Sequence, residues 1–337
     1  MAQKARIELV CPAGNLPALR TAVDNGADCV YIGLRDNTNA RNFSGLNFDL
    51  AAARNGLHYA HTKGVKVLLA INTYPQPATW QRWTQAVDIA AELGFDAILV
   101  ADPGLMRYAA AAHPQLRLHL SVQGSATNYE AINFYHRHFN VRRAVLPRVL
   151  SVAQVEEVIR NTPVEIEVFG FGSLCVMVEG RCALSSYVTG ESPNMAGVCS
   201  PAKAVRWEQQ ADGLEVRLNG ILIDKYGAHE NAAYPTLCKG RFKAGEDTYY
   251  AIEEPASLNA LELLPELARI GVVAVKIEGR QRSPAYVAAV TRVWRQALDT
   301  CMRDTNDYAV QPHWAAELCR MSEGQSYTLG AYHRPWK

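Results

Sequence analysis

Residues 65–101 decide the fold, and they read VKVLLAINTYPQPATWQRWTQAVDIAAELGFDAILVA. Residues 65–71 and 97–101 are short apolar runs, and residues 80–93 carry apolar side chains at helical spacing. Short runs rich in β-branched residues and bounded by Gly, Asn or Pro are typical of buried parallel strands. This stretch therefore predicts a strand, a helix and a second strand parallel to the first.

The same alternation runs along most of the chain. Seven strands, each followed by a helix or a loop, are predicted at 7–11, 29–33, 65–71, 97–101, 116–122, 144–146 and 164–169. An eighth strand at 274–277 precedes a helix at 285–300. Eight strand–helix units predict an α/β fold of the (β/α)8 TIM-like barrel type. An incomplete barrel is the alternative, because the second and sixth strands are short.

The alternation stops between the seventh and eighth strands. Strand-like pieces at 203–209, 214–223 and 248–252 and a helix near 258–269 replace it. The first predicted division, 1–169, holds seven strand–helix units, and the second, 170–273, is a lid insertion that also carries a group of cysteines. The last strand and helix occupy 274–301, and a tail without strong periodicity follows at 302–337. Barrels hold their chemistry at the carboxyl ends of the strands, so the insertion is expected to reach that face.

Composition narrows the class of protein. The 337 residues include 34 Lys+Arg and 33 Asp+Glu, and 49% are hydrophobic. This rules out wholesale disorder, and the balanced charge argues against a stable complex with nucleic acid. No apolar run approaches the length of about 18 residues needed for a membrane span, and the N-terminus lacks the apolar segment of a signal peptide. A cytoplasmic protein is expected.

Four of the eight cysteines lie close together in the sequence, in surroundings rich in Gly, Pro and Ser. They are Cys175, Cys182, Cys199 and Cys238, separated by six, sixteen and thirty-eight residues. Structural zinc sites favour pairs two to four residues apart, so this spacing favours an iron–sulfur cluster over zinc. The alternative is four buried thiols that pack as small hydrophobic groups. Cys11, at the end of the first strand, is expected to face the barrel mouth in a packing role.

Polar side chains at the predicted strand ends are the candidates for substrate contact. They are Asn39, Arg41, Asn72, Thr73, Asp102, Gln123, Ser125, Asn128, Arg148, Glu278 and Arg280. Six of them form the predicted substrate-binding set, namely Arg41, Arg148, Arg280, Glu278, Asn72 and Gln123. No catalytic residue is assigned from the sequence.

Residues 167–185 contain Glu167, an aromatic residue, glycines, Cys175, Cys182 and Ser185 in one register. This pattern strongly resembles the signature of the collagenase-like peptidase family. Residues 9–19, LVCPAGNLPAL, resemble the opening strand and turn of that family, and residues 275–280, VKIEGR, resemble its closing strand. Further segments resemble one branch of the family, at 31–34, 37–41, 133–139, 146–150, 189–194 and 321–333.

The resemblance to this branch implies a subunit of a hydroxylase that works without dioxygen in ubiquinone biosynthesis. It implies action on the aromatic ring of prenylated precursors, a homologous partner subunit in a heterodimer, and prephenate as the oxygen donor. It also implies a 4Fe-4S cluster on four cysteines, which map onto Cys175, Cys182, Cys199 and Cys238. Peptidase activity is not expected, because the chain has neither a His-Glu-x-x-His nor a Gly-x-Ser-x-Gly motif.

Prephenate has two carboxylates, and guanidinium groups bind carboxylates in a bidentate way. Arg41, Arg148 and Arg280 are therefore predicted to bind carboxylates. The alternative for each is a salt bridge that fixes a loop, which for Arg280 would involve Glu278 or Glu167. Two other functions stay open: hydroxylation of an RNA base, as in other members of the family, and a non-catalytic iron–sulfur carrier that stabilises its partner.

Overall fold

In the computed structural model, which describes residues 6–42, 45–177, 181–193 and 198–334, eight parallel strands form a closed ring. They are β1 (Glu8–Pro12), β2 (Cys29–Gly33), β3 (Lys66–Ile71), β4 (Ala97–Val100), β5 (Leu118–Leu120), β6 (Val141–Val145), β7 (Glu165–Ser173) and β14 (Ala274–Ile277). The ring closes at β14, where Ala274 lies opposite Glu8 of β1 and opposite Glu167 of β7. The predicted (β/α)8 TIM-like barrel is confirmed, and the incomplete barrel is wrong.

Helices surround the ring and bury their apolar faces on it. They are α1 (Leu16–Asp24), α2 (Leu50–Thr62), α3 (Trp80–Leu93), α4 (Pro103–Ala112), α5 (Tyr129–Phe139), α6 (Val152–Arg160), α8 (Leu264–Ile270) and α9 (Pro284–Arg303). Six begin at a short polar side chain that accepts a backbone N–H of the first turn, at Asn15, Asp49, Asp102, Asn128, Ser151 and Ser283. The longest helix, α9, places the fully buried Trp294 against the backbone of Gly170 in β7.

The segment between β7 and α8 is an insertion with its own small sheets. Its elements are α7 (Ala183–Thr189), β8 (Val205–Gln210), β9 (Gly213–Leu218), β10 (Ile221–Tyr226), β11 (Phe242–Ala244), β12 (Asp247–Tyr249) and β13 (Ser257–Asn259). Strands β8 to β10 form a three-stranded antiparallel sheet, and β11 pairs with β12. Strand β13 runs antiparallel to β7, with Ser257 opposite Ser173. The insertion is therefore anchored at the carboxyl end of β7, on the face where barrels hold their chemistry.

Several predicted boundaries are wrong, each for a physical reason. The predicted strand at 214–223 is a hairpin, because Asn219 and Gly220 adopt positive φ values of 48° and 82° and form a tight turn. Strand β7 continues to Ser173 because β13 pairs with its end. Strand β6 begins at Val141 although charged residues follow, because Arg143 is buried in ion pairs with Glu8 and Glu165.

The predicted helix near 258–269 and the tail also differ from expectation. Residues 257–259 form a strand, and the helix proper is Leu264–Ile270. The tail holds a helix, α10 (Pro312–Met321), and a short strand, β15 (Tyr327–Thr328), which pairs with β13. Only Trp314 and Leu318 of α10 are buried, which explains its weak periodicity. Among the helices in the described part of the chain, none is long and apolar enough to cross a bilayer.

Candidate functional site

The carboxyl ends of the barrel strands surround a cavity of about 70 Å³ at the barrel mouth. All six predicted substrate-binding residues line it, namely Arg41, Asn72, Gln123, Arg148, Glu278 and Arg280. They come from the segments that follow β2, β3, β5, β6 and β14. Parallel strands end at one edge of a barrel, so side chains distant in sequence meet there.

Glu278 lies between two arginines at this mouth. Its carboxylate oxygens lie 2.9 Å from Nη2 of Arg41 and 2.5 Å from Nη1 of Arg148. Arg148 also donates to the carbonyl oxygen of Ser173 at 2.7 Å. Burial alone would raise the pKa of Glu278, but the two guanidinium groups overcome this effect and lower the pKa to about 2. Both arginines therefore make the salt bridge that was the alternative to a carboxylate-binding role.

Arg280 has different partners from those expected. Its Nη1 donates to Oδ1 of Asn39 at 2.9 Å, and its Nη2 donates to the carbonyl oxygen of Ala40. The expected pairing with Glu278 or Glu167 is wrong: two arginines hold Glu278, and Lys276 binds Glu167 at 2.7 Å. Within the described residues, no carboxylate lies within 4.0 Å of the Arg280 guanidinium. Burial lowers the pKa of Arg280 to about 10.

Asn72 and Gln123 line the same wall of the cavity, but their side-chain amides differ in hydrogen bonding. Both ends of the Asn72 amide are bonded, because its Oδ1 accepts from the backbone N–H of Ala40 at 3.0 Å and its Nδ2 donates to Oγ of Ser121 at 3.2 Å. The amide therefore ties three segments of the mouth together. Gln123 is 6% exposed, and its buried Oε1 has no hydrogen-bond partner among the described residues.

The remaining strand-end candidates serve local structure. Asp102 and Asn128 cap α4 and α5, accepting backbone N–H groups at 2.8 Å and 2.9 Å. Thr73 donates to the carbonyl oxygen of Asn37 at 2.6 Å. Ser125 ends the turn after β5 with a positive φ of 50°. These residues hold the loops that shape the mouth and do not line its cavity.

Lys276 lines the cavity and was missed by sequence reasoning. Its Nζ lies 2.7 Å from Oε1 of Glu167 and 4.1 Å from the centre of the Tyr31 ring. Glu167 and Lys276 each interrupt an apolar strand, and buried charges are rarely left unpaired. The two opposite charges in neighbouring strands were the available signal that the pair lies inside the barrel.

All four predicted cluster ligands line a second cavity of about 650 Å³ above the barrel mouth. These ligands are Cys175, Cys182, Cys199 and Cys238. The two cavities share five lining residues, Arg41, Gln123, Arg148, Glu278 and Arg280. The thiols and the charged mouth therefore line two adjoining cavities that share a wall. Residues 178–180 and 194–197, which belong to the quoted signature and to the flanking motifs, lie outside the described residues.

Each of these cysteines lies where regular structure stops. Cys175 follows β7, and Cys182 caps α7 by accepting the backbone N–H of Ser185 at 3.4 Å. The Ser185 hydroxyl donates in turn to the carbonyl oxygen of Cys199. Cys238 lies in a single helical turn, Leu237–Lys239. Ser185 therefore joins the loops that carry Cys182 and Cys199.

The chemistry of this cavity fits an iron–sulfur cluster. Burial raises the pKa of Cys238 to about 12, Lys239 opposes this effect, and the neighbouring thiols of Cys199 and Cys182 add to it. Thiolates gathered here need compensating positive charge, which bound iron would supply. The buried hydroxyl of Ser200, beside Cys199 on the cavity wall, has no partner among the described residues and could donate to a sulfur atom.

A single metal ion fits less well than a cluster. Within the described residues, no three side chains of His, Cys, Asp or Glu are grouped closely enough to share one ion. A cubane cluster interposes iron and sulfide between its ligands, so it takes thiolates that lie further apart. Among the described residues, no two cysteines form a disulfide.

Cys11 does not face the barrel mouth, so that expectation is wrong. Its Sγ accepts a hydrogen bond from the Thr291 hydroxyl of α9 at 3.3 Å. Side chains alternate along a strand, and Glu8 of β1 points into the barrel to meet Arg143, so Cys11 points outward. Its predicted packing role agrees with complete burial.

Comparison with known proteins shows which protein family this chain matches. A profile of peptidase family U32 matches residues 14–335. The tRNA hydroxylation protein P of Escherichia coli (strain K12) is 32% identical, over 97% of this chain and 74% of that protein. The tRNA hydroxylation protein P1 of Bacillus subtilis (strain 168) is 29% identical, over 95% and 70%. A Methanocaldococcus jannaschii protein named as an uncharacterized protease is 31% identical, over 97% and 73%.

Two of these three relatives are named for hydroxylation, so hydroxylation is an activity represented among the proteins that this chain resembles. The similarity spans the other seven barrel strands and the insertion, because the profile match begins just after β1 and runs to the tail. On this match, the chain belongs to peptidase family U32.

Proposed function

We propose that this chain is the iron–sulfur subunit of a dioxygen-independent hydroxylase of the UbiU type. Its substrates would be the aromatic rings of prenylated ubiquinone precursors, and prephenate would donate the oxygen. A homologous UbiV-type subunit would complete a heterodimer in the cytoplasm. One observation carries the proposal: the cavity lined by the four cysteines adjoins the arginine-rich barrel mouth and shares five lining residues with it.

In this proposal, Cys175, Cys182, Cys199 and Cys238 hold a 4Fe-4S cluster. When bound, such a cluster supplies one-electron transfer at the wall shared with the barrel mouth. The residues of the chain itself bind and orient the oxygen donor. Arg280, which lacks a carboxylate partner among the described residues, offers its guanidinium to a carboxylate.

Glu278 fixes the other two arginines of the mouth. It uses one carboxylate oxygen for Arg41 and the other for Arg148, so both guanidinium groups have a set direction before a ligand enters. A preorganised cationic mouth attracts an anionic oxygen donor without having to rearrange. The Arg148 guanidinium also stacks on the Phe169 ring, with its Cζ 4.2 Å from the ring centre, which further fixes its direction.

The test is oxygen transfer by the complete pair. The chain and its homologous partner are purified together without dioxygen and given a prenylated phenol with prephenate labelled with ¹⁸O at its hydroxyl group. We expect labelled hydroxylated product with the native pair, no product with Cys238→Ser, and unchanged product with the control Cys319→Ser. Product without label would refute the oxygen donor, and full activity of Cys238→Ser would refute the role of the cluster.

A second candidate is hydroxylation of an RNA base, which the names of the Escherichia coli and Bacillus subtilis relatives favour. The same preparation is given transfer RNA in place of the phenol, and the digested nucleosides are measured by mass spectrometry. A hydroxylated nucleoside that disappears in Cys238→Ser would replace the ubiquinone proposal. If the partner hydroxylates the phenol equally well beside Cys238→Ser, the chain is a non-catalytic carrier or stabilising subunit.

A further inference from the structure

A buried ion pair between Lys239 and Glu323 lies in the wall of the cysteine cavity. Both residues line that cavity, and their side chains are only 4% and 12% exposed. The Lys239 ammonium group binds the Glu323 carboxylate and also donates to the carbonyl oxygen of Ala256 at 3.4 Å. A buried ion pair often stabilises a fold no better than apolar residues of similar size. Stability alone therefore does not account for two charges at this position.

Lys239 directly follows Cys238, one of the four proposed cluster ligands. Both belong to the helical turn Leu237–Lys239, which is held by a hydrogen bond from the backbone N–H of Lys239 to the carbonyl oxygen of Thr236 at 2.8 Å. The carbonyl oxygen of Cys238 in turn accepts from the backbone N–H of Glu253 at 3.1 Å. The cation and the thiol are therefore carried by one short, hydrogen-bonded segment.

Glu323 comes from the tail of the chain, 84 residues after Lys239. Its backbone N–H donates to Oγ of Ser257 in β13 at 2.9 Å. The next residue, Gly324, has a positive φ of 59° and lies so close to Pro255 that a methyl group there would come within 2.6 Å of its carbonyl oxygen. The packed backbone of the tail therefore holds the carboxylate at the cavity wall.

The pKa of Cys238 shows that both charges act on its sulfur atom. Burial has the largest effect and raises the pKa to about 12, while Lys239 acts against burial and Glu323 acts with it. The effect of Lys239 is larger than that of Glu323. Charges that act on a ligand sulfur also act on the group that the sulfur holds, and they act more strongly where water is excluded.

The sign of each effect follows from the charge that reduction adds. An iron–sulfur cluster that takes up one electron gains one negative charge, with no bond made or broken. A nearby cation stabilises the reduced form, and a nearby anion stabilises the oxidised form. Lys239 therefore makes reduction easier, and Glu323 makes it harder.

We infer that Lys239 and Glu323 set the reduction potential of the cluster held by the four cysteines. Lys239 raises the potential, and Glu323, supplied by the tail, limits that rise. Neither residue has to contact the substrate, since both act through the electric field at the thiolates. The inference rests on the proposed function, because it requires a cluster in this cavity, and it adds the residues that determine how readily the cluster accepts an electron.

The test is a potentiometric titration of the full chain purified without dioxygen. Dithionite supplies the electrons, and electron paramagnetic resonance measures the reduced cluster. We expect Lys239→Met to shift the midpoint potential to a lower value and Glu323→Gln to shift it to a higher value. Lys239→Arg keeps the charge and should stay closer to the native potential than Lys239→Met. The control Lys225→Met removes a 42% exposed lysine of β10 that does not line the cavity, so it should leave the potential unchanged.

Shifts of the same sign in Lys239→Met and Glu323→Gln, or unchanged potentials in both, would overturn the inference. A pair that only held the fold together could lose the cluster when broken, but it would not move the potential in opposite directions. The double variant, Lys239→Met with Glu323→Gln, leaves no unpaired buried charge. Because Lys239 has the larger effect, its potential should lie below the native value and above that of Lys239→Met. If the single variants lose their iron, a double variant at or above the native potential still overturns the inference.

The inference and the proposed function fail in different ways. Potentials are measured without substrate, so opposite shifts in a chain whose complete pair hydroxylates no phenol refute only the proposed function. Labelled product from the native pair, together with potentials that ignore both charges, refutes only the inference. A native chain without iron and sulfide refutes both.

Discussion

Replacing Glu278 by glutamine perturbs the ion pairs that hold the barrel mouth. The carboxylate lies 2.9 Å from Arg41 and 2.5 Å from Arg148, and the side chain of Arg148 is only 4% exposed. The amide keeps the size of the side chain but removes its charge, which leaves two guanidinium groups without their counter-ion. We expect Glu278→Gln to lower the free energy of unfolding by about 3 kcal/mol at neutral pH.

The lowered pKa of Glu278 predicts a loss of unfolding free energy of the same size, and it also predicts how that loss depends on pH. It is about 2 in the folded protein, against an ordinary value of 4.5. At about 1.4 kcal/mol per pKa unit, this difference is worth about 3 kcal/mol. A lowered pKa gives stability that is fully present above pH 4.5 and is lost as the pH falls towards 2. The difference in unfolding free energy between the native chain and Glu278→Gln should therefore shrink to about 1 kcal/mol at about pH 3.

Urea unfolding of the full chain, followed by circular dichroism at several pH values, measures this deficit. The matched control is Glu130→Gln, whose carboxylate is 71% exposed and lies 3.9 Å from Arg137. It should cause no measurable change at any pH. A loss below about 1 kcal/mol at neutral pH, or a loss that does not vary with pH, would refute the ion-pair reasoning.

Two further predictions concern the packing of the barrel. A methyl group at Gly170 would come within 2.6 Å of the Trp294 ring, so Gly170→Ala should lower the free energy of unfolding by about 2 kcal/mol, measured in urea. In the control Gly227→Ala, the methyl group meets only the Glu230 carboxylate, at an ordinary contact distance of 3.6 Å, so the loss should be much smaller. Burial raises the pKa of the Cys11 thiol to about 12, so Cys11 in the folded chain should resist iodoacetamide at about pH 8. The partly exposed Cys319 should react under the same conditions. Mass spectrometry of the peptides measures the alkylation of both cysteines. Equal alkylation rates, or equal losses for the two glycine variants, would contradict these expectations.

The barrel was largely predictable because its strands are continuous apolar runs between polar or glycine breaks. The bounds of β2, α3 and β14 agree with the predicted ranges. The start of β6 was not predictable from local pattern, since the burial of Arg143 depends on ion pairs with Glu165 of the neighbouring strand and with Glu8 of the more distant β1. Likewise, α10 is stabilised by packing against α9, and its sequence has no strong apolar periodicity that would have predicted a helix.

Sequence reasoning found the residues of the mouth but not their partners. Arg41 and Arg148 were expected at strand ends, yet their common partner Glu278 follows the last strand, more than a hundred residues later. The unused acceptor of Gln123 depends on which neighbours fail to reach it, and no sequence pattern records that. The shared cavity of the four cysteines was foreseen from their glycine-rich surroundings, although their spacing alone left zinc and packed thiols open.

The central claim, that four cysteines hold one iron–sulfur cluster above the barrel mouth, is tested most directly by metal analysis. Iron and acid-labile sulfide are measured in the full chain purified without dioxygen, and in serine variants of Cys175, Cys182, Cys199 and Cys238. We expect about four iron and four sulfide per native chain, with loss in each variant. Iron without sulfide in the native chain, or unchanged content in all four variants, would contradict the claim.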